Sequence, residues 1–256
     1  MSAGDASADR ASPVLIVTAL REETDALIER ARGVSRVAGA PRPAWRGSLS
    51  GQPVILARTG SGPANAAAGL TQLLRALGPC RWIGAGLAGA LAPDIAVGQL
   101  LIAQTVRDAD GTVAEGPDPE WAARALACAP GLRRARLVSS PRVAVTAREK
   151  TALRAGLEEG DAVDMESAGW ARAAQAAGQG APYLLARVVS DSAAEDLPEF
   201  LALSLAADGS LDRGRIARHA ILRPAAIGKL LDLRRRARSC AGSLAEFLDR
   251  FAAAGF

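Results

Sequence analysis

A chain of 256 residues, 49% apolar and 23% charged, has the make-up of an ordinary globular protein, which excludes wholesale disorder, collagen and coiled coil. No apolar run approaches the roughly 20 residues of a membrane span, and residues 1–12 are small and polar, a loose tail rather than a signal peptide; the expectation is a cytoplasmic protein. The net charge of +4 is unevenly placed, because residues 211–240 hold nine Arg and Lys against Asp212 and Asp232, a local +7 that leaves −3 elsewhere. Such a segment suits an anionic membrane surface or nucleic acid, or is a solvated helical face.

Val14–Val17 follows Pro13 as a short β-branched run and predicts a buried first strand. A helix is expected from Glu22 to about Arg32. Pro53–Ala57 is a second buried run. It ends in Gly60-Ser61-Gly62, from which an alanine-rich helix runs to about Leu77. Trp82–Gly86 predicts a strand that breaks into a glycine/alanine turn through Leu91. Leu100–Ala103 is strand-like, and Trp121–Cys128 and Ala147–Leu157 are helical. Asp164–Ala177 predicts one long helix, and Tyr183–Val189 a late strand running into Ser190-Asp191. Strands alternating with helices imply an α/β fold, with a mixed, mostly parallel central sheet flanked by helices. Residues 1–12 then form a flexible tail, 13–200 a catalytic domain and 201–256 a basic, amphipathic helical extension packed on it. Within that extension Ser243-Leu-Ala-Glu246 matches a capping box. Leu244, Phe247, Leu248 and Phe251 follow on one face, and Gly255 can close the helix. The stripe suits docking on the domain, a dimer contact or a greasy substrate channel.

The cysteines, Cys80, Cys128 and Cys240, have no metal-ligand spacing, and neither metal nor cofactor is expected. His219 is the single histidine, and Lys150 and Lys229 are the only lysines among 31 cationic residues. Gly60-Ser61-Gly62 opens a helix and could hold phosphate or carboxylate, but Asn65 stands where a dinucleotide fingerprint has its third glycine. Gly84–Gly89 fits that fingerprint formally, yet Pro93 follows closely and no acid lies in the right strand-end context, so a dinucleotide site is not expected.

Ligands on such sheets sit at the carboxyl ends of the strands, which singles out three acids. Glu23 lies just past the first strand, Glu166 at a helix start and Asp191 at the end of a late strand. If they converge, the set suits glycosidic chemistry: one group protonates the leaving group, one orients water and one holds sugar hydroxyls. Each acid alone reads as well as a helix-start charge.

Five segments in order, Val17–Glu23, Thr59–Pro63, Gly86–Pro93 with Val97-Gly98, Val163–Glu166 and Arg187–Asp191, resemble the purine nucleosidase/phosphorylase superfamily, close to the methylthioadenosine/S-adenosylhomocysteine nucleosidases. Ala207–Asp212 and Leu222–Pro224 resemble its hopanoid-associated branch. The resemblance implies release of adenine from adenosylhopane to give ribosylhopane. The alternatives are a methylthioadenosine/S-adenosylhomocysteine nucleosidase or a phosphate-dependent purine nucleoside phosphorylase. It assigns Asp191 as the general acid toward adenine N7 and Glu23 as the group that positions or activates water. Glu166 would bind the ribose hydroxyls, with Met165 under the sugar, and Ser190 and Arg187 would support the acids. Gly60, Gly86, Leu87 and Val143 complete the substrate-binding set, with Val143–Thr146 as the adenine face. Where this group often carries Ser or Thr in the glycine-rich turn, this chain has Leu87. A phosphate nucleophile needs donors, so hydrolysis is favoured, although Gly60, Ser61 and Arg21 could supply some. The substrate is then a small or lipid-linked adenine nucleoside and the protein a homodimer. Peripheral membrane contact through the C-terminal segment fits a lipid substrate. The basic run carries no interleaved aromatics, so no nucleic-acid partner is expected.

Overall fold

The computed structural model describes residues 12–78, 80–114, 116–157, 160–178, 182–198, 201, 214 and 225–256. The tail before residue 12, His219, the resemblance segments Ala207–Asp212 and Leu222–Pro224, and most of the basic run before Lys229 lie outside these residues.

In chain order the elements are β1 (Val14–Thr18), α1 (Arg21–Arg30), β2 (Arg32–Arg36), β3 (Ala44–Leu49), β4 (Gln52–Arg58), α2 (Pro63–Leu77) and β5 (Trp82–Ala90). There follow β6 (Leu100–Asp108), β7 (Val113–Ala114), α3 (Pro119–Ala127), β8 (Arg133–Ser139) and α4 (Ala147–Gly156). The last are β9 (Ala162–Asp164), α5 (Ser167–Ala176), β10 (Tyr183–Asp191) and α6 (Ala225–Ala253). The strands form one mixed sheet. Its centre is parallel, β4–β1–β5–β10, and β3 and β2 extend it antiparallel at one edge. On the other side β5 pairs β9, β9 pairs β8, β8 pairs β6 and β6 pairs β10. Because β10 also pairs β5, these five strands close into a ring, which leaves no free edge there. β7 pairs with β6 alone.

Two apolar layers flank the sheet. One joins Leu15, Val17, Trp82 and Leu185 to Leu70 and Leu74 of α2 and Trp170 of α5. The other joins Ile16, Ile83 and Leu184 to α3 and to α6. The stripe of α6 is docked in this layer: Leu244, Phe247, Leu248 and Phe251 are all buried, with Phe256 folded back edge-on against Phe251 at 5.4 Å. Burying an aromatic or leucine side chain contributes about 1.5–3 kcal/mol. The stripe is therefore part of the core, and neither lines a substrate channel nor faces a membrane. A positive φ of 90° at Gly255, with its N–H bonded to the Ala252 carbonyl, closes the helix.

Three element expectations are corrected. Trp82–Gly86 does not break into a turn; β5 continues to Ala90, paired on both sides. Its glycines mark close approach instead. A Cβ on Gly84 would sit 2.5 Å from Leu185 and 2.8 Å from Trp170, closer than atoms can pack. The expected helix from Asp164 begins only at Ser167, because Ala162–Asp164 is a strand held between β5 and β8. Ser243 does not cap a helix; it lies inside α6 and its hydroxyl donates to the Ser239 carbonyl one turn back.

Candidate active site

Glu23 is the third residue of α1, a helix whose N-cap is Leu20 and so has no capping side chain. Its carboxylate takes over that role. Oε2 accepts from the backbone N–H of Ala19 (3.0 Å) and Leu20 (2.8 Å), and Oε1 from the N–H of Leu87 on β5 (2.9 Å). The last bond requires close approach: a Cβ on Gly86 would lie 3.0 Å from Oε1. Three N–H donors favour the anion, but burial outweighs them and pushes the carboxyl above its usual range. A carboxylate oxygen with a spare lone pair remains to receive a proton from water.

Glu166 sits between β9 and α5, and 8% of its surface is exposed. Oε1 accepts from the Gly62 N–H (2.7 Å) and the Ser61 hydroxyl (3.2 Å). The Gly60–Gly62 turn therefore uses the N-terminus of α2 to hold an internal carboxylate. Burial, with the neighbouring charge of Asp164 and then Glu23, lifts Glu166 to about 7. The charge of Glu23 thus reaches Glu166.

Asp191 ends β10 at a bulge in its pairing with β5. It too is buried and packs on Gly89, where a Cβ would lie 2.8 Å from Oδ2. Glu23 and Asp191 thus both approach β5, at positions three residues apart. Oδ1 of Asp191 is 2.7 Å from the Ser190 hydroxyl, which also reaches the Ala88 carbonyl at 3.3 Å. The one hydroxyl proton can point either way. It donates to Asp191 when the carboxyl is ionised, and to Ala88 when Asp191 itself carries a proton and donates to Ser190. The opposite oxygen, Oδ2, is 2.6 Å from Nζ of Lys150 on α4, a partner that sequence reasoning missed.

Arg187, expected among the substrate-binding residues, is buried and committed inward. Nε meets Asp164 at 2.7 Å, NH1 donates to the Gly84 and Ala186 carbonyls, NH2 donates to the Ser167 hydroxyl, and the guanidinium lies over the Trp170 ring. Asp164 also accepts from the hydroxyls of Ser139 and Ser167. This buried cluster lies behind Glu166, and its Asp164 charge raises the Glu166 carboxyl more than its Arg187 charge lowers it. Gly60, Leu87, Met165 and Ser190 are half-buried and lie next to the acids in sequence or through hydrogen bonds, Gly60 by way of Ser61. Val143 is half-buried too, but in the stretch after it the Val145 backbone is engaged by Leu197 and Glu149. Arg21 lies on the outside of α1, paired with Asp25.

Residues 13–223 match the phosphorylase superfamily. The chain belongs to that superfamily. The 5'-methylthioadenosine/S-adenosylhomocysteine nucleosidase of Chromohalobacter salexigens is 29% identical over 205 residues, covering 72% of this chain and 86% of the relative. The nucleosidase of the same name from Halalkalibacterium halodurans is 34% identical over 100 residues, 38% of this chain and 43% of that one. Among solved structures, the Streptococcus pneumoniae MTA/SAH nucleosidase in complex with 8-aminoadenine superposes with a TM-score of 0.74 at 20% identity, covering 95% and 100% of the two chains. The Helicobacter pylori futalosine hydrolase gives 0.72 at 17% identity, covering 94% and 97%. These superpositions show a shared fold.

Proposed function

We propose that this member of the phosphorylase superfamily cleaves the N-glycosidic bond of an adenine nucleoside with water. The observation that carries the reading is a set of three buried carboxylates: Glu23 bonded to β5 through the Leu87 N–H, Asp191 packed on Gly89 of the same strand and bonded to Ser190, and Glu166 held at the N-terminus of α2 within reach of the Glu23 charge. Asp191 gives a proton to adenine N7 while the bond from N9 to the ribose carbon breaks. Water, oriented by Glu23, adds to that carbon and leaves its proton on the Glu23 side. Glu166 holds the ribose hydroxyls, which strengthens as positive charge develops on the sugar.

Water is favoured over phosphate by what the donors are doing. Ser61 and the Gly62 N–H are bound to Glu166, Arg21 is paired on the outer face of α1, and residue 87 has no hydroxyl. Little in the described site is left to bind a dianion.

For the group on the ribose we propose an adenosyl lipid, adenosylhopane, with ribosylhopane as product. Its support is the pair of sequence segments Ala207–Asp212 and Leu222–Pro224. A peripheral membrane contact is proposed through the outer face of α6, where Leu231, Arg234, Arg235 and Arg238 are exposed at helical spacing. A homodimer is proposed by analogy with the family. Soluble thioadenosines are the rival substrates, favoured by the names of the curated relatives. Incubation with adenosylhopane, methylthioadenosine and S-adenosylhomocysteine, each with and without phosphate, tests all of this. The expected result is adenine and a free ribosyl product, fastest with the lipid and indifferent to phosphate. A ribosyl phosphate product overturns hydrolysis. Fast turnover of thioadenosine with none of the lipid overturns the lipid reading. No adenine from any substrate overturns the function.

A further inference from the structure

Lys150 is completely buried in a chain whose other cations, Lys229 apart, are all arginine. Its ammonium has three hydrogens and three acceptors: Asp191 Oδ2 at 2.6 Å, the Ser192 carbonyl at 2.7 Å and the Glu195 carbonyl at 2.9 Å. The helix that carries it starts with a true capping box at Thr146 and Glu149, so the lysine is fixed by the first turn of α4. The 190–195 segment is gripped from the other side by Arg236 of α6, which binds both carboxylate oxygens of Glu195 (2.7 and 2.8 Å) and lies 3.4 Å from the Ser190 carbonyl.

We propose that Lys150 is a positioning residue for the proton transfer: it pins Oδ2 of Asp191, so that only the Oδ1 edge, served by Ser190, is free to carry the proton toward the base. This rests on the adenine-nucleoside reading above and extends it to a residue that reaches Asp191 from α4. Two consequences follow from the geometry. Rotation of the Asp191 carboxyl is blocked, so the proton leaves from one edge only. The ammonium also offsets the negative charge that Asp191 acquires on donating its proton. Among the described residues, the other charged or titratable groups turned toward Asp191 are Arg236 and Cys240 from α6, with Glu195 neutralising Arg236. Of these described groups, Lys150 is the one in direct contact with the carboxylate.

The test compares the pH profiles of kcat/KM for adenine release by wild type, Lys150→Met, Lys150→Gln and Lys150→Arg. Folding is checked by circular dichroism, and Gln is included because its amide can still donate to the Ser192 or Glu195 carbonyl if the Met variant fails to fold. The expected result is a fall in kcat of about 10–100-fold in the uncharged variants with KM within threefold. The alkaline limb of their profile moves to higher pH once no ammonium offsets the new carboxylate charge, and arginine keeps that limb in its wild-type place. A folded, uncharged variant whose profile keeps its wild-type shape, whether or not its rate falls, overturns the proposal and leaves Lys150 as an anchor of the 190–195 segment only. A wild-type protein that releases no adenine refutes the functional reading instead, and is seen before any variant is measured.

Discussion

Replacing Glu166 by glutamine makes the protein more stable in mild alkali and less active. In the folded protein the carboxyl is lifted from its ordinary 4.5 to about 7 by burial and by the charges of Asp164 and Glu23. A raised acid binds its proton more tightly when folded than when unfolded, so its contribution is neutral at low pH and turns unfavourable as pH climbs through the interval between the two values. Across that interval the cost reaches about 3 kcal/mol. Glutamine keeps a carbonyl oxygen for the Gly62 N–H and the Ser61 hydroxyl and carries no charge, so the cost disappears. Urea unfolding at pH 5 and pH 8 reads it directly. The gap between variant and wild type widens by about 2–3 kcal/mol in favour of the variant on going to pH 8, while kcat/KM falls because the ribose hydroxyls lose their anionic acceptor. Stability curves that run parallel between these two pH values refute the reasoning, since they mean that Glu166 titrates alike in both states.

Gly86→Ala places a Cβ 3.0 Å from Glu23 Oε1. Displacing the water-positioning group by even a fraction of an ångström lowers kcat by up to about 100-fold with little change in KM, as steady-state kinetics will show. Arg187→Met leaves the buried Asp164 carboxylate without its cation and costs about 3–5 kcal/mol in urea unfolding; a loss under about 1 kcal/mol contradicts the buried-pair account. Phe251→Ala opens a cavity where α6 meets the sheet, costs about 3–5 kcal/mol, and is read from the same denaturation midpoint.

The central strands were legible because parallel strands covered on both faces read as unbroken apolar runs; Val14–Val17 and Pro53–Ala57 are such runs. β2 and β3 were not, since Arg32–Arg36 is polar and exposed at the sheet edge and carries no apolar pattern. β5 was cut short because Gly86 and Gly89 look like turn residues, whereas their missing side chains make room for Glu23 and Asp191. The three acids could be singled out by their places at strand and helix ends, but not what each is bonded to. Nothing local in Gly60-Ser61-Gly62 says that its ligand is a residue more than a hundred positions on. Lys150 was hidden for a similar reason: Ala-Arg-Glu-Lys at a helix start reads as a solvated face, and only the tertiary fold turns the lysine inward. Its one sequence signal is the scarcity of lysine itself.

The most direct test of the account is a crystal structure with an unreactive adenosine analogue bound. The account predicts the purine N7 within hydrogen-bond distance of Asp191, the ribose hydroxyls on Glu166, and a water between Glu23 and the anomeric carbon. An analogue seated away from these three carboxylates, for example in the hollow between α1 and α6 lined by Arg21, Asp25, Arg234 and Arg238, contradicts it.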